Sequence, residues 1–98
     1  MYKRQADFNQ PLADWDTSHV VIMAGMFSRA TAFNQPLADW DISRVERTYA
    51  MFQNATSFSH SLEDWDISNV ANKYGMFEGA TNYNERFQKP RGYRNNLD

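Results

Sequence analysis

Ninety-eight residues make one small domain. Ten Lys and Arg against twelve Asp and Glu leave a formal net charge of −2, without the basic excess that nucleic-acid binding needs. The chain has no cysteine, which excludes disulfides, thiol catalysis and thiolate metal sites, while its 42% hydrophobic and 15% aromatic content is enough to build a core. The opening MYKRQADFNQ lacks an apolar h-region, so no signal peptide is expected. No apolar run approaches the ~18 residues of a membrane span, so no membrane insertion is expected.

In chain order, residues 1–7 are a polar lead-in. FNQPLADWD then occurs at 8–16, verbatim again at 33–41, edited to FSHSLEDWD at 58–66, and decays to YNERFQKP at 83–90. The starts Phe8, Phe33, Phe58 and Tyr83 are 25 residues apart each time. A fixed period of that size is the mark of a repeat architecture. The whole chain reads as one domain, with repeats at 8–32, 33–57 and 58–82 and a degenerate fourth repeat with a cap at 83–98.

Down the columns, eight phases stay apolar or nearly so: Phe8/Phe33/Phe58, Leu12/Leu37/Leu62, Trp15/Trp40/Trp65, Thr17/Ile42/Ile67, Val20/Val45/Val70, Met26/Met51/Met76, Phe27/Phe52/Phe77 and Ala30/Ala55/Ala80. Leu-x-x-Trp-x-Ile ends on positions two apart, which is strand spacing. The Val, Met-Phe and Ala phases keep to one helical face. Ser18, Ser43 and Ser68 stand two residues before the helical valine as N-caps, and Ser43 with Glu46 makes a capping box. Pro11 and Pro36 precede the strand core, where proline is tolerated. Each copy therefore predicts a short strand, a tight corner, about two helical turns and a return.

One such unit cannot bury its apolar face alone; stacked, each coil covers the next. Identical phases then form ladders of Phe on Phe, Trp on Trp and Met-Phe on Met-Phe. Asn9, Asn34 and Asn84 line up likewise, an amide at each corner bonding the backbone of the next coil, with Ser59 interrupting the row. The expected fold class is α/β, a β/α solenoid of about 3.5 coils, with short parallel strands on one side and short helices on the other.

The pattern W-D-x-S-x-V, G/A-M-F, A-T and F-N-Q-P-L resembles the bacterial surface-protein repeat of about 25 residues found in Listeria and Mycoplasma lipoproteins, the DUF285 type, akin to BspA-like leucine-rich repeats. The resemblance covers about residues 8–87. It implies a leucine-rich-repeat-like solenoid displayed on a cell surface or outside the cell, acting in adhesion or binding. Leu37 to Ile42 takes the part of the leucine-rich strand. The chain departs from the pattern at Thr48 and Lys73, where the family carries a second methionine as at Met23, and at Tyr49 and Tyr74, which replace a small residue. No lipobox is present, and Pro90 takes the tryptophan phase of the fourth copy.

Asp14/Asp16, Asp39/Asp41 and Asp64/Asp66 are the most conspicuous polar pattern. Stacked carboxylate rows are a conceivable calcium ladder; the favoured reading makes the second Asp of each pair the acceptor of an Asx turn at the corner. His19 and His60 fall at different phases and have no ligand-spaced partner. The recurring serines lack an elbow motif and a paired base, and four glycines make no phosphate loop. No metal, cofactor or catalytic residue is assigned.

The variable phases remain. Tyr49 and Tyr74 share one phase on adjacent coils, with Arg47 and Lys73 close by, and tyrosine-rich surfaces suit protein contact. Val21, Ile22 and Met23 make the first helix nearly apolar all round, which implies a covered outer face. The polar tail from Gln88 reads as a C-terminal cap. An open coil edge at the other end predicts weak homodimerisation there. The expectation is a non-catalytic protein-interaction or adhesion module with a protein partner; the alternative is a purely structural repeat spacer with no specific ligand. Clustering of the exposed aromatics on one face favours the first, scattering the second.

Overall fold

Each 25-residue copy is built from consecutive turns, not from a strand and a helix. In the computed structural model, which describes residues 8–93, no strand of a sheet forms among the described residues. One helix, α1 (Thr81–Arg86), is found there. The expected β/α solenoid with strands on one side and helices on the other is therefore overturned. The lead-in at 1–7 and the last five residues of the expected cap lie outside the described residues.

The segment read as a strand is a turn. Trp15, Trp40 and Trp65 donate their N–H to the carbonyls of Leu12, Leu37 and Leu62, each at 3.0 Å. A second turn follows, with Val20, Val45 and Val70 donating to Thr17, Ile42 and Ile67 at 3.0 Å. Apolar residues three apart mark the two ends of a turn as readily as the faces of an element, and in the second and third copies they bury both ends of each turn in the core.

The segment read as a helix is broken by its own backbone. Gly25, Ala50 and Gly75 have φ of 66, 55 and 65°, and Arg29, Asn54 and Gly79 have φ of 63, 59 and 75°. Each is the third residue of an i→i+3 turn, closed by Met26 on Met23, Met51 on Thr48 and Met76 on Lys73, then by Ala30 on Phe27, Ala55 on Phe52 and Ala80 on Phe77. A positive φ at that position belongs to a type II turn. Two left-handed residues four apart in every copy exclude a right-handed helix. The Ser43–Glu46 capping box accordingly caps nothing; the Glu46 amide donates to Val21 O of the preceding copy at 2.7 Å.

Copies are joined by backbone bonds running from one to the next. Met23, Gly25, Phe27 and Arg29 donate to the carbonyls of Arg47, Tyr49, Met51 and Gln53 at 2.8 to 2.9 Å. Thr48, Ala50, Phe52 and Asn54 repeat the pattern onto Asn72, Tyr74, Met76 and Glu78 at 2.7 to 3.0 Å. Isolated parallel bridges pair Ile22 with Arg47 and Arg47 with Asn72. The inter-copy ladder thus lies in the stretch expected to be helical, not in the Leu-x-x-Trp turns.

Side chains stack in the same register. Phe8, Phe33, Phe58 and Tyr83 form one column with ring centroids 5.7, 5.9 and 5.8 Å apart. Phe27, Phe52 and Phe77 form a second at 5.6 and 5.5 Å, cross-linked to the first by Phe27–Phe33 at 4.2 Å and Phe52–Phe58 at 4.6 Å. Stacked pairs of this kind add ~0.5–1.5 kcal/mol each beyond burial. The Trp40 and Trp65 indoles donate to Leu12 O and Leu37 O of the preceding copy at 2.8 and 3.1 Å. Asn9 Oδ1 accepts from the Asn34 amide at 2.8 Å and Asn34 Oδ1 from the Ser59 amide at 2.9 Å, the corner bonding expected of the asparagine row.

In the fourth copy, Arg86 stands where Pro11 and Pro36 stand in the first two. Those prolines disfavour helix in the residues before them; the third copy has Ser61 at this phase and forms no helix either, so the missing proline permits α1 without by itself producing it. The tail then lies on the third copy, with Arg91 bridging Asp66 and the Ile67 amide donating to Arg91 O at 2.8 Å. Gly92, at φ 92°, passes so close that any side chain would overlap the Ser68 backbone. Tyr93 meets Phe77 edge-on at 5.4 Å, and Lys89 Nζ sits 5.8 to 5.9 Å from the rings of Phe77, Tyr83 and Tyr93. A cation over ring faces closes the end of both aromatic columns.

Candidate interaction face

From residues 22, 47 and 72 onward the ladder stretch is extended over a few residues, and there an outward side chain is followed by an inward one; the residue before, Val21, Glu46 or Ala71, is exposed as well. Met23, Thr48 and Lys73 point inward and are buried, while Ile22, Arg47 and Asn72 point outward and are exposed. Two residues on, Tyr49 and Tyr74 are exposed at 44% and 54%. The ladder bonds Gly25 to Tyr49 O and Ala50 to Tyr74 O fix these two phases on neighbouring copies, about one strand spacing of ~4.8 Å apart. Val21 and Ile22, also exposed, add aliphatic surface on the first copy.

Of the four residues singled out from the sequence, three come together on this face: Arg47, Tyr49 and Tyr74. Lys73 does not. Its side chain runs into the interior and its ammonium donates to Val70 O at 3.1 Å, which is how a buried charge is partly satisfied. The sequence reading groups Lys73 with Tyr74 as its neighbour in the chain; the backbone sends the two side chains to opposite sides. Ile22 is the outward residue that the same reading underweighted, and the signal was its pairing with an inward Met23. Thr48, at the same inward phase, donates its hydroxyl to Met76 Sδ at 3.3 Å.

The second aspartate of each pair sits at the turn between Trp and Ser, before the ladder stretch begins. Asp16, Asp41 and Asp66 each accept the amide of the serine two residues on, at 2.9 to 3.0 Å. Ser18 and Ser68 also donate their hydroxyls, at 2.7 and 2.5 Å. These serine bonds hold all three carboxyls below the usual range, helped by His19, Arg44 and Arg91 respectively. The serines are thus partners of Asx turns rather than helix caps. Among the described residues, no group of three or more His, Asp or Glu is arranged to hold a metal.

Ser18 Oγ also lies 3.1 Å from His19 Nδ1, a hydroxyl beside an imidazole. The polarity is wrong for activation: the single hydroxyl proton is directed at Asp16, so the ring nitrogen has none to take. His60 Nε2 lies 3.3 Å from Asn34 O, away from both.

These features define a repeat protein whose copies are stacked by a backbone ladder and aromatic columns, with one outward face of aliphatic and tyrosine side chains. The family model described as "Mycoplasma protein of unknown function, DUF285" matches residues 1–89, and the chain belongs to that family. No curated protein and no solved structure matches it. No helix among the described residues is long and apolar enough to cross a membrane.

Proposed function

We propose that the chain is a non-catalytic protein-interaction module of a bacterial surface-type repeat protein, displayed outside the cell and contacting a protein partner through the ladder face. The observation that carries this reading is the clustering of Val21, Ile22, Tyr49 and Tyr74, four of the five large hydrophobics exposed among the described residues, along one ladder. The fifth, Trp15, belongs to the tryptophan column, on the turn side of the copy. Tyrosines with rigid rings and a polar tip are enriched where proteins meet, and their exposure here does nothing for the core.

The test is a binding comparison between the chain and its Y49A/Y74A double variant against a panel of purified extracellular proteins. The reading expects at least one partner whose Kd weakens tenfold or more in the variant at unchanged melting temperature. Equal binding by both, or none by either, would favour a spacer without a specific ligand.

A further inference from the structure

The ladder face carries, on its middle copy, two unlike charges side by side. Glu46 and Arg47 are both exposed, and neither side chain makes an ion pair or hydrogen bond among the described residues. At the equivalent phases, the first copy has Val21 and Ile22 and the third has Ala71 and Asn72. Each copy thus presents a matched pair of neighbours: two aliphatics, two opposite charges, and a small with a polar residue. A two-fold axis running along the stack, between these two phases, would bring every pair onto itself. Val21 would meet Ile22 of the partner subunit, and Glu46 would meet Arg47 of the partner subunit twice over.

We propose that the ladder face pairs with the same face of a second copy of this chain, in an isologous dimer centred on Glu46 and Arg47. The proposal rests on reading this face as an interaction surface and names its partner. Isologous contacts demand self-complementary patches, and an adjacent plus and minus is the simplest charged patch that complements itself. Turning the partner end for end would set Glu46 on Glu46 and Arg47 on Arg47, which opposes that arrangement, and sliding by one copy would leave both charges against uncharged side chains. Display on a surface would make the contact homophilic, joining molecules of the same kind. It differs from pairing through the N-terminal end, part of which falls on residues 1–7 outside the described structure.

Sedimentation equilibrium on the full chain, with E46K and R47E each alone and then mixed, tests this. The wild type is expected to dimerise with concentration. Each single reversal places like charges opposite one another and weakens the dimer at least tenfold. An equimolar mixture restores it, because one variant's face is then doubly positive and the other's doubly negative. A wild type that stays monomeric at several hundred micromolar overturns the proposal, as do single variants that dimerise unimpaired or a mixture no tighter than its components. Melting temperatures confirm that both variants fold, the positions being exposed. A monomeric result leaves the binding comparison for Tyr49 and Tyr74 standing, so the two readings fail separately.

Discussion

Ala50 occupies the left-handed phase that glycine fills at positions 25 and 75. An L-residue there is strained by about 1–2 kcal/mol, offset by the greater freedom glycine has in the unfolded chain. Ala50→Gly is therefore expected to stabilise the protein, by up to about 1 kcal/mol in urea unfolding. In a helix interior the same change would destabilise by about that much, so its sign separates a turn from a helix. Gly75→Ala, which meets open space, is expected to cost about 1 kcal/mol. Gly79→Ala costs more, because the added methyl would also overlap Asn54 Oδ1.

Titration belongs to the same scale. Burial pushes the Tyr83 phenol up to about 12, with its hydroxyl donating to Gln88 O at 2.7 Å. Because the folded value lies above the unfolded one, this contribution is whole below pH ~10 and is lost as pH rises toward ~12. Tyr83→Phe is expected to remove much of that alkaline loss while lowering stability at neutral pH by about 1 kcal/mol for the missing bond. Alkaline melts of the two proteins that run parallel would contradict it. The three corner aspartates work in the opposite sense: their lowered values add stability above the ordinary carboxylate range, lost as pH falls below it. Asp41→Asn is expected to shrink the acid-side loss in melts from pH 6 to 2.

At the scale of the element, the repeat was legible and the elements were not. Exact spacing of Phe8, Phe33, Phe58 and Tyr83 implied stacked copies with like phases in contact, and the phenylalanine columns, the Trp15–Trp40 stack and the asparagine corner bonds have that register. What periodicity cannot distinguish is a run of turns from a helix, since both bring residues three or four apart to one side. Gly25, Gly75 and Gly79 carried the missing information: glycine at fixed phases of a supposed helix marks left-handed backbone. Arg29, Ala50 and Asn54 at the same phases masked that signal. The face was half legible, since Tyr49 and Tyr74 are outward under either reading whereas Lys73, three residues after Val70 and at the phase of Met23, is inward under either and is grouped with Tyr74 only as its neighbour in the chain. Trp40 and Trp65 also serve as rivets between copies. Trp40→Phe, which removes the indole bond to Leu12 O, is expected to lower stability by about 1 kcal/mol, plus the packing lost from the smaller ring.

For the whole molecule, the order of forces is clear. Strands of a sheet and long helices are absent from the described residues, so the copies depend on inter-copy bonds and on 22 buried hydrophobic side chains running through the stack as one cluster. Such a core couples neighbouring copies, and the tail with Lys89 and Tyr93 closes one end of it. The outward face is then a by-product of the ladder: it is made by the side chains of the joined stretches that do not enter the columns. Ladder geometry is accordingly the claim on which both the fold and the interaction face depend. It is most directly tested by NMR scalar couplings across hydrogen bonds in the labelled protein. The account predicts couplings from the Gly25 and Ala50 amides to the carbonyls of Tyr49 and Tyr74. Couplings from residues 24–30 to carbonyls four residues earlier would mean a helix in their place, and would contradict it.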